Sequence, residues 1–149
     1  MNTYTEHVGE KLNELLEKTY DAEKGFKTAA DNIENTVLKS YFESKAKERY
    51  NFGHDLKEEI KSYNQEVDKG GSLTGTAHRA WMDIKAMLSL DNEESMLEES
   101  IRGEKTAVEE YKEVLSENHL PSSTKALLKT QKNKIELGLE NIKTLEDIH

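Results

Sequence analysis

The chain has 149 residues, 34% hydrophobic and 34% charged, with a formal net charge of −9, one proline, eight glycines and no cysteine. So acidic a surface disfavours nucleic acid and anionic membranes as partners, since both need concentrated positive charge. The missing cysteines exclude disulfides, thiolate metal sites and cysteine nucleophiles. No stretch is apolar for long enough to cross a bilayer. The opening "MNTYTEHVGEKLNELL" lacks the charged-then-apolar order of a signal peptide. A single cytoplasmic domain over residues 1–149 is therefore expected.

The first predicted element is a long amphipathic helix. Val8, Leu12, Leu15, Thr19, Ala22, Phe26, Ala29 and Ile33 alternate steps of four and three, and Leu16 and Ala30 widen the stripe. "DNIEN" supplies the turn. A second helix carries Leu38, Phe42, Phe52, Leu56, Ile60, Tyr63 and Val67 at helical spacing. "DKGGSLTGT" is the clearest loop, with three glycines. The short amphipathic segment "AHRAWMDIKAMLSL" follows, with Ala77, Trp81, Ile84 and Leu88 on one face. A third long helix is expected from Glu93 to Asn118, with Leu97, Ile101, Val108, Tyr111 and Leu115 in its stripe. Pro121 and the serines of "HLPSS" start the last helix, which aligns Leu128, Ile135, Ile142 and Leu145.

Short links between the first and second helices, and between the third and fourth, make two antiparallel hairpins. The long segment between the hairpins then makes an all-α, ferritin-like four-helix bundle with one long crossover containing an extra short helix.

Polar residues interrupt these apolar faces. Glu104 occupies a slot in the third stripe, Glu23 borders the first, Arg49 lies centrally on the second, and Gln131 falls between Leu128 and Ile135. "AEKGF" and "RGEKT" align on Glu23 and Glu104, so Glu23, Arg49, Glu104 and Gln131 are expected to form one polar core layer. A dinuclear metal centre in such a bundle takes one Glu from each of two helices and Glu-x-x-His from each of the others. Glu23 and Glu104 are the candidate metal ligands, for iron or manganese. Arg49-x-x-Phe52 and Gln131-x-x-Lys134 stand where the Glu-x-x-His units belong. Arginine cannot ligate a metal and brings a fixed positive charge, so Arg49, helped by Lys45 or Lys134, is expected to neutralise the glutamates with no cofactor. Glu48, beside the second stripe, and His78, beside Trp81, are the further candidate ligands. His54 is expected on the solvent face and His7 and His119 near ends or loops. Glu146-Asp147-Ile148-His149 spells Glu-x-x-His only at a chain end.

The pair "HRAWMDIK" and "RGEKTAVEEY", with "LNELLEKTYDAEKGFKTAA" and the "LP" before the last helix, resembles an uncharacterised bacterial ferritin-like four-helix-bundle family. That family is a domain of unknown function distantly related to rubrerythrin. The residues that carry the resemblance are His78, Arg79, Trp81, Asp83, Lys85, Arg102, Gly103, Glu104 and Tyr111. It implies a ferritin-like fold and a bacterial, cytoplasmic, loosely stress-associated setting, without an established activity. It also suggests a cluster of His78, Arg79, Trp81, Lys85 and Arg102, with Glu104, where the short helix meets the third. The functional expectation is a non-enzymatic bundle, possible as a homodimer. The alternative is a divergent metal-binding ferritin-like oxidoreductase.

Overall fold

The computed structural model describes residues 3–63, 93–117 and 120–148, with side chains for 6–63, 96–117 and 120–142. These residues form four α-helices: α1 (Thr3–Asp31), α2 (Thr36–Ser62), α3 (Glu93–Leu115) and α4 (Ser122–Ile148). Among the described residues there is no strand. No helix there is long and apolar enough to cross a membrane. The predicted crossover helix, with Val67, Ala77 and Leu88, lies outside the described residues.

Local hydrogen bonds, from side chains at the first turn and from the backbone at the second, mark where the elements end and begin. Asn35 caps α2, its Oδ1 accepting from the Val37 and Leu38 amides at 3.0 and 3.1 Å. Lys39 reaches back across the turn and donates to the Ala30 carbonyl at 2.9 Å, satisfying an orphan acceptor at the end of α1. Helix α3 stops at Leu115, short of the expected Asn118, in a tight turn where the Ser116 and Glu117 amides bond back to Glu113 and Val114. The Pro121 carbonyl accepts from the Lys125 amide at 3.0 Å to open α4.

The closest backbone packing lies within the hairpins α1–α2 and α3–α4. Across the bundle α1 meets α3 and α2 meets α4, which leaves α2 and α3 on a diagonal. Cross-links give the helix directions. His7 pairs with Glu117 and Lys18 with Glu110, so α1 and α3 are antiparallel. Tyr63 meets Thr124 and Tyr41 meets Gly138, so α2 and α4 are antiparallel too. Helices α2 and α3 therefore run in the same direction, and the end of α2 and the start of α3 lie at opposite ends of the bundle.

Among the described side chains, the periodic positions read from the sequence are buried, apart from Tyr63 and Leu115, which are half-buried. Leu12, Leu16, Leu38, Phe42, Leu56, Leu97, Leu128, Ile135 and Ile142 are fully enclosed. The core comes in two parts. One cluster is built around Phe26, Phe42, Leu97 and Ile142, the other around Leu12, Phe52, Val108 and Ile135. Between them lies a polar waist, at the level of Arg49 and Glu104.

Candidate functional site

The waist arises because each helix breaks its apolar stripe at one depth. On α2 the break is Arg49, 2% exposed, and on α3 it is Glu104, 1% exposed. These helices lie diagonally opposite, so the two side chains meet at the bundle axis. Arg49 Nη2 donates to Glu104 Oε1. Arg49 Nη1 donates to Glu48 Oε1 at 3.1 Å. The Cζ of the same guanidinium lies over the Phe26 and Phe52 rings, 5.6 and 5.5 Å from their centroids. An arginine can do both at once, since its N–H groups reach carboxylates while its cation is attracted to π-clouds.

Lys45 supplies the second cation. Its Nζ lies 2.6 Å from Glu48 Oε1 and 3.5 Å from Glu104 Oε2. Two positive and two negative side chains thus share the waist and their formal charges cancel. Cancellation matters because an uncompensated buried charge costs several kcal/mol. The shorter distance, to Glu48, is a hydrogen bond, whereas the 3.5 Å approach to Glu104 is an electrostatic contact. Glu104 Oε2 accepts no hydrogen bond among the described residues.

Gly138 makes room for Lys45. A Cβ built there would lie 2.5 Å from Lys45 Nζ and 3.3 Å from its Cε. A glycine inside a helix costs about 1 kcal/mol relative to alanine, and here the missing methyl is what admits the ammonium. Tyr41 donates to the Gly138 carbonyl at 3.2 Å beside it. Gly138→Ala is expected to lose about 1 kcal/mol net: a charge-assisted hydrogen bond of about 1.5–3 kcal/mol is broken against a helix gain of about 1 kcal/mol. In a Lys45→Ala background, where neither Nζ nor Cε occupies the notch, the same change should stabilise by up to about 1 kcal/mol. Urea unfolding of the four chains measures this, and a change of equal size and sign in both backgrounds would separate Gly138 from Lys45.

A second polar link lies beside the first. The buried Tyr111 hydroxyl donates to Gln131 Oε1 at 2.6 Å, and Gln131 Nε2 donates to the Phe52 carbonyl at 3.3 Å. Thr19 stands next to the Tyr111 phenol and donates to its own Leu15 carbonyl at 2.7 Å. Burial pushes the phenols of both Tyr111 and Tyr41 well above the usual range, with nearby Glu104 adding to the effect. The folded chain therefore holds these protons more tightly than the unfolded one. Stability from this source is complete below the ordinary phenol value of about 10 and is lost as pH rises beyond it. Thermal midpoints followed into alkali should fall for the wild type and fall less for Tyr41→Phe; parallel profiles would overturn the assignment.

The structure brings together some of the residues singled out from the sequence and separates others. Arg49, Glu104 and Gln131 lie at or next to the waist. Glu23 does not join them: it pairs with Lys27 at 2.9 Å and lines a shallow groove with Tyr50 between α1 and α2. The hydrogen bond to Glu23 raises the Lys27 pKa. Thr19, one turn before Glu23, is a buried polar residue of α1 and stands beside the Tyr111 phenol. Lys134 is exposed, and Lys45 does the work foreseen for either. Arg102 is likewise exposed and pairs with Glu99 at 2.7 Å, away from Glu104. His54 is exposed, and His7 pairs with Glu117 at 3.3 Å. His78, Arg79, Trp81, Lys85, His119 and His149 lie outside the described residues. Gly138 and the bridging role of Glu48 were not read from the sequence, although a lone glycine inside an amphipathic helix was a usable signal.

The described donors do not fit a dinuclear metal centre. Among the described residues no three His, Asp or Glu side chains are grouped to hold a metal ion. Of the carboxylates at the waist, Glu104 has a fixed guanidinium on one oxygen and an ammonium near the other, and Glu48 Oε1 is shared by the same two cations. A divalent ion placed there would meet two positive charges before it met a ligand set.

A groove of about 840 Å³ opens between α2 and α4 and is lined by Val37, Tyr41, Lys45, Glu48, Leu137 and Gly138, so one edge of the waist faces solvent. Comparison with known proteins finds that residues 7–117 match the family model described as Domain of unknown function (DUF2383). No curated protein matches the chain.

Proposed function

From the premise that the chain belongs to the Domain of unknown function (DUF2383) family, we propose that it is a non-enzymatic, ferritin-like bundle whose di-metal layer is replaced by an ion-paired one. The up-down-down-up order of its helices and the long link between the hairpins support the ferritin-like, distantly rubrerythrin-related assignment. The observation that carries the reading is the diagonal Arg49–Glu104 pair with Lys45 and Glu48 beside it. Positive charge that metal ions would bring to a carboxylate layer is here supplied by two tethered side chains, enough to balance the two glutamates. Such a bundle acts through its surface in a bacterial, cytoplasmic, stress-associated setting.

Metal analysis of chain purified without chelators, followed by adding back iron(II) or manganese(II), tests this reading. The expected result is no stoichiometric uptake. Stoichiometric binding that is lost in Glu23→Ala or Glu104→Ala would overturn it in favour of the metal-binding alternative.

A further inference from the structure

We propose that the Glu48–Glu104 carboxylate pair is a binding site for a primary ammonium group, which the chain fills with its own Lys45. The inference rests on the ion-paired reading of the waist and names what that layer selects. The two carboxylates come from diagonal helices, and Lys45 Nζ bridges them at 2.6 and 3.5 Å. The Glu104 side chain is 2% exposed, and its Oε2 is a buried acceptor without a hydrogen bond among the described residues. An amine N–H reaching that oxygen would satisfy it, which a longer contact to Lys45 leaves undone.

Charge decides which cations fit. The two carboxylates carry two negative charges, and Arg49, fixed on Glu104 Oε1, cancels one. One negative charge remains, so a monovalent cation neutralises the waist and a divalent one overcharges it. Shape decides further. The Gly138 notch approaches the ammonium so closely that a single added methyl would collide with it. A quaternary ammonium, which is bulky on all sides and has no N–H, is therefore excluded, whereas a primary ammonium keeps three donors for two carboxylates. The α2–α4 groove includes Lys45, Glu48 and Gly138 in its wall, so a small amine from solvent has a route to the position once Lys45 is shortened.

The test is chemical rescue. Lys45→Ala removes the equivalent of n-propylammonium, and this variant is expected to unfold at lower urea than the wild type. Added n-propylammonium should raise its midpoint, and at ten times the dissociation constant the unfolding equilibrium constant falls about elevenfold. Tetramethylammonium at equal ionic strength should leave it unmoved. Neither the wild type nor Lys45→Ala/Glu104→Gln should respond to either salt. Equal effects of the two salts on Lys45→Ala, or an equal rise in the wild type, would overturn the proposal. Should Lys45→Ala fail to fold, Lys45→Met keeps the stem and lacks only the terminal nitrogen. Ammonium chloride is then the probe against tetramethylammonium, with the same criteria. Manganese(II) bound stoichiometrically by the wild type would overturn the reading of the waist itself. Absence of rescue in a metal-free chain overturns only the ammonium site.

Discussion

Replacing Arg49 with methionine is expected to cost about 3–5 kcal/mol of folding free energy, the penalty for stranding a buried carboxylate without its partner. Glu104 is too enclosed to recover that loss from water, and Lys45, at 3.5 Å, is already committed to Glu48. Removing both members of the pair has the opposite logic. In Arg49→Met/Glu104→Leu the desolvation of two ions disappears together with their attraction. The remaining Lys45 and Glu48 still balance, so the double variant should be close to wild type in stability or exceed it by about 1–4 kcal/mol. Urea unfolding of the four chains gives the coupling energy directly. Losses that simply add would mean that Arg49 and Glu104 act on stability independently.

The second large effect falls on Phe26, which serves the apolar cluster and the waist together. Its ring stacks on Phe42 at 6.2 Å and lies beneath the Arg49 guanidinium. Phe26→Ala should cost about 3–5 kcal/mol, since a fully buried ring is replaced by a cavity. Phe26→Leu separates the two contributions. It keeps most of the volume, at a packing cost below about 1.5 kcal/mol, and forfeits a desolvated cation–π contact of about 2 kcal/mol. In the Arg49→Met background the leucine change should be cheaper by about that second amount. The same cost in both backgrounds would confine Phe26 to packing.

These expectations rest on features that were unequally legible in the sequence. The helices were legible because burial imposes the helical period on side-chain type over many turns. Every stripe residue named for the first helix is buried, from Val8 to Ile33, the last of them just past the end of α1. Arg49 and Glu104 could be recognised as core residues for the same reason, because a charge inside an apolar stripe stands out against its neighbours. Their partners were harder to read. Glu23 was matched to Glu104 by counting residues from the turns, and the Lys18–Glu110 link is consistent with that depth. Glu23 nevertheless pairs with Lys27 on its own helix. Periodicity identifies the centre of a buried stripe well and its border poorly, since a side chain at the border can turn inward or outward with little change in backbone.

Lys45 shows the same limit from another side. Its position beside the second stripe was visible, but its reach into the waist depends on a glycine ninety-three residues later, on a different helix. No local pattern connects them. The sequence by itself determined four amphipathic helices in two hairpins, and with them the presence of buried charge, because both follow from the order of side chains along each helix. Only the tertiary structure decided which charges meet: Arg49 with Glu104 across the diagonal, Lys45 between Glu48 and Glu104, and Glu23 apart. Partner choice depends on the relative depth of packed helices and on a single absent methyl group at Gly138, which are properties of the packed bundle rather than of any one segment.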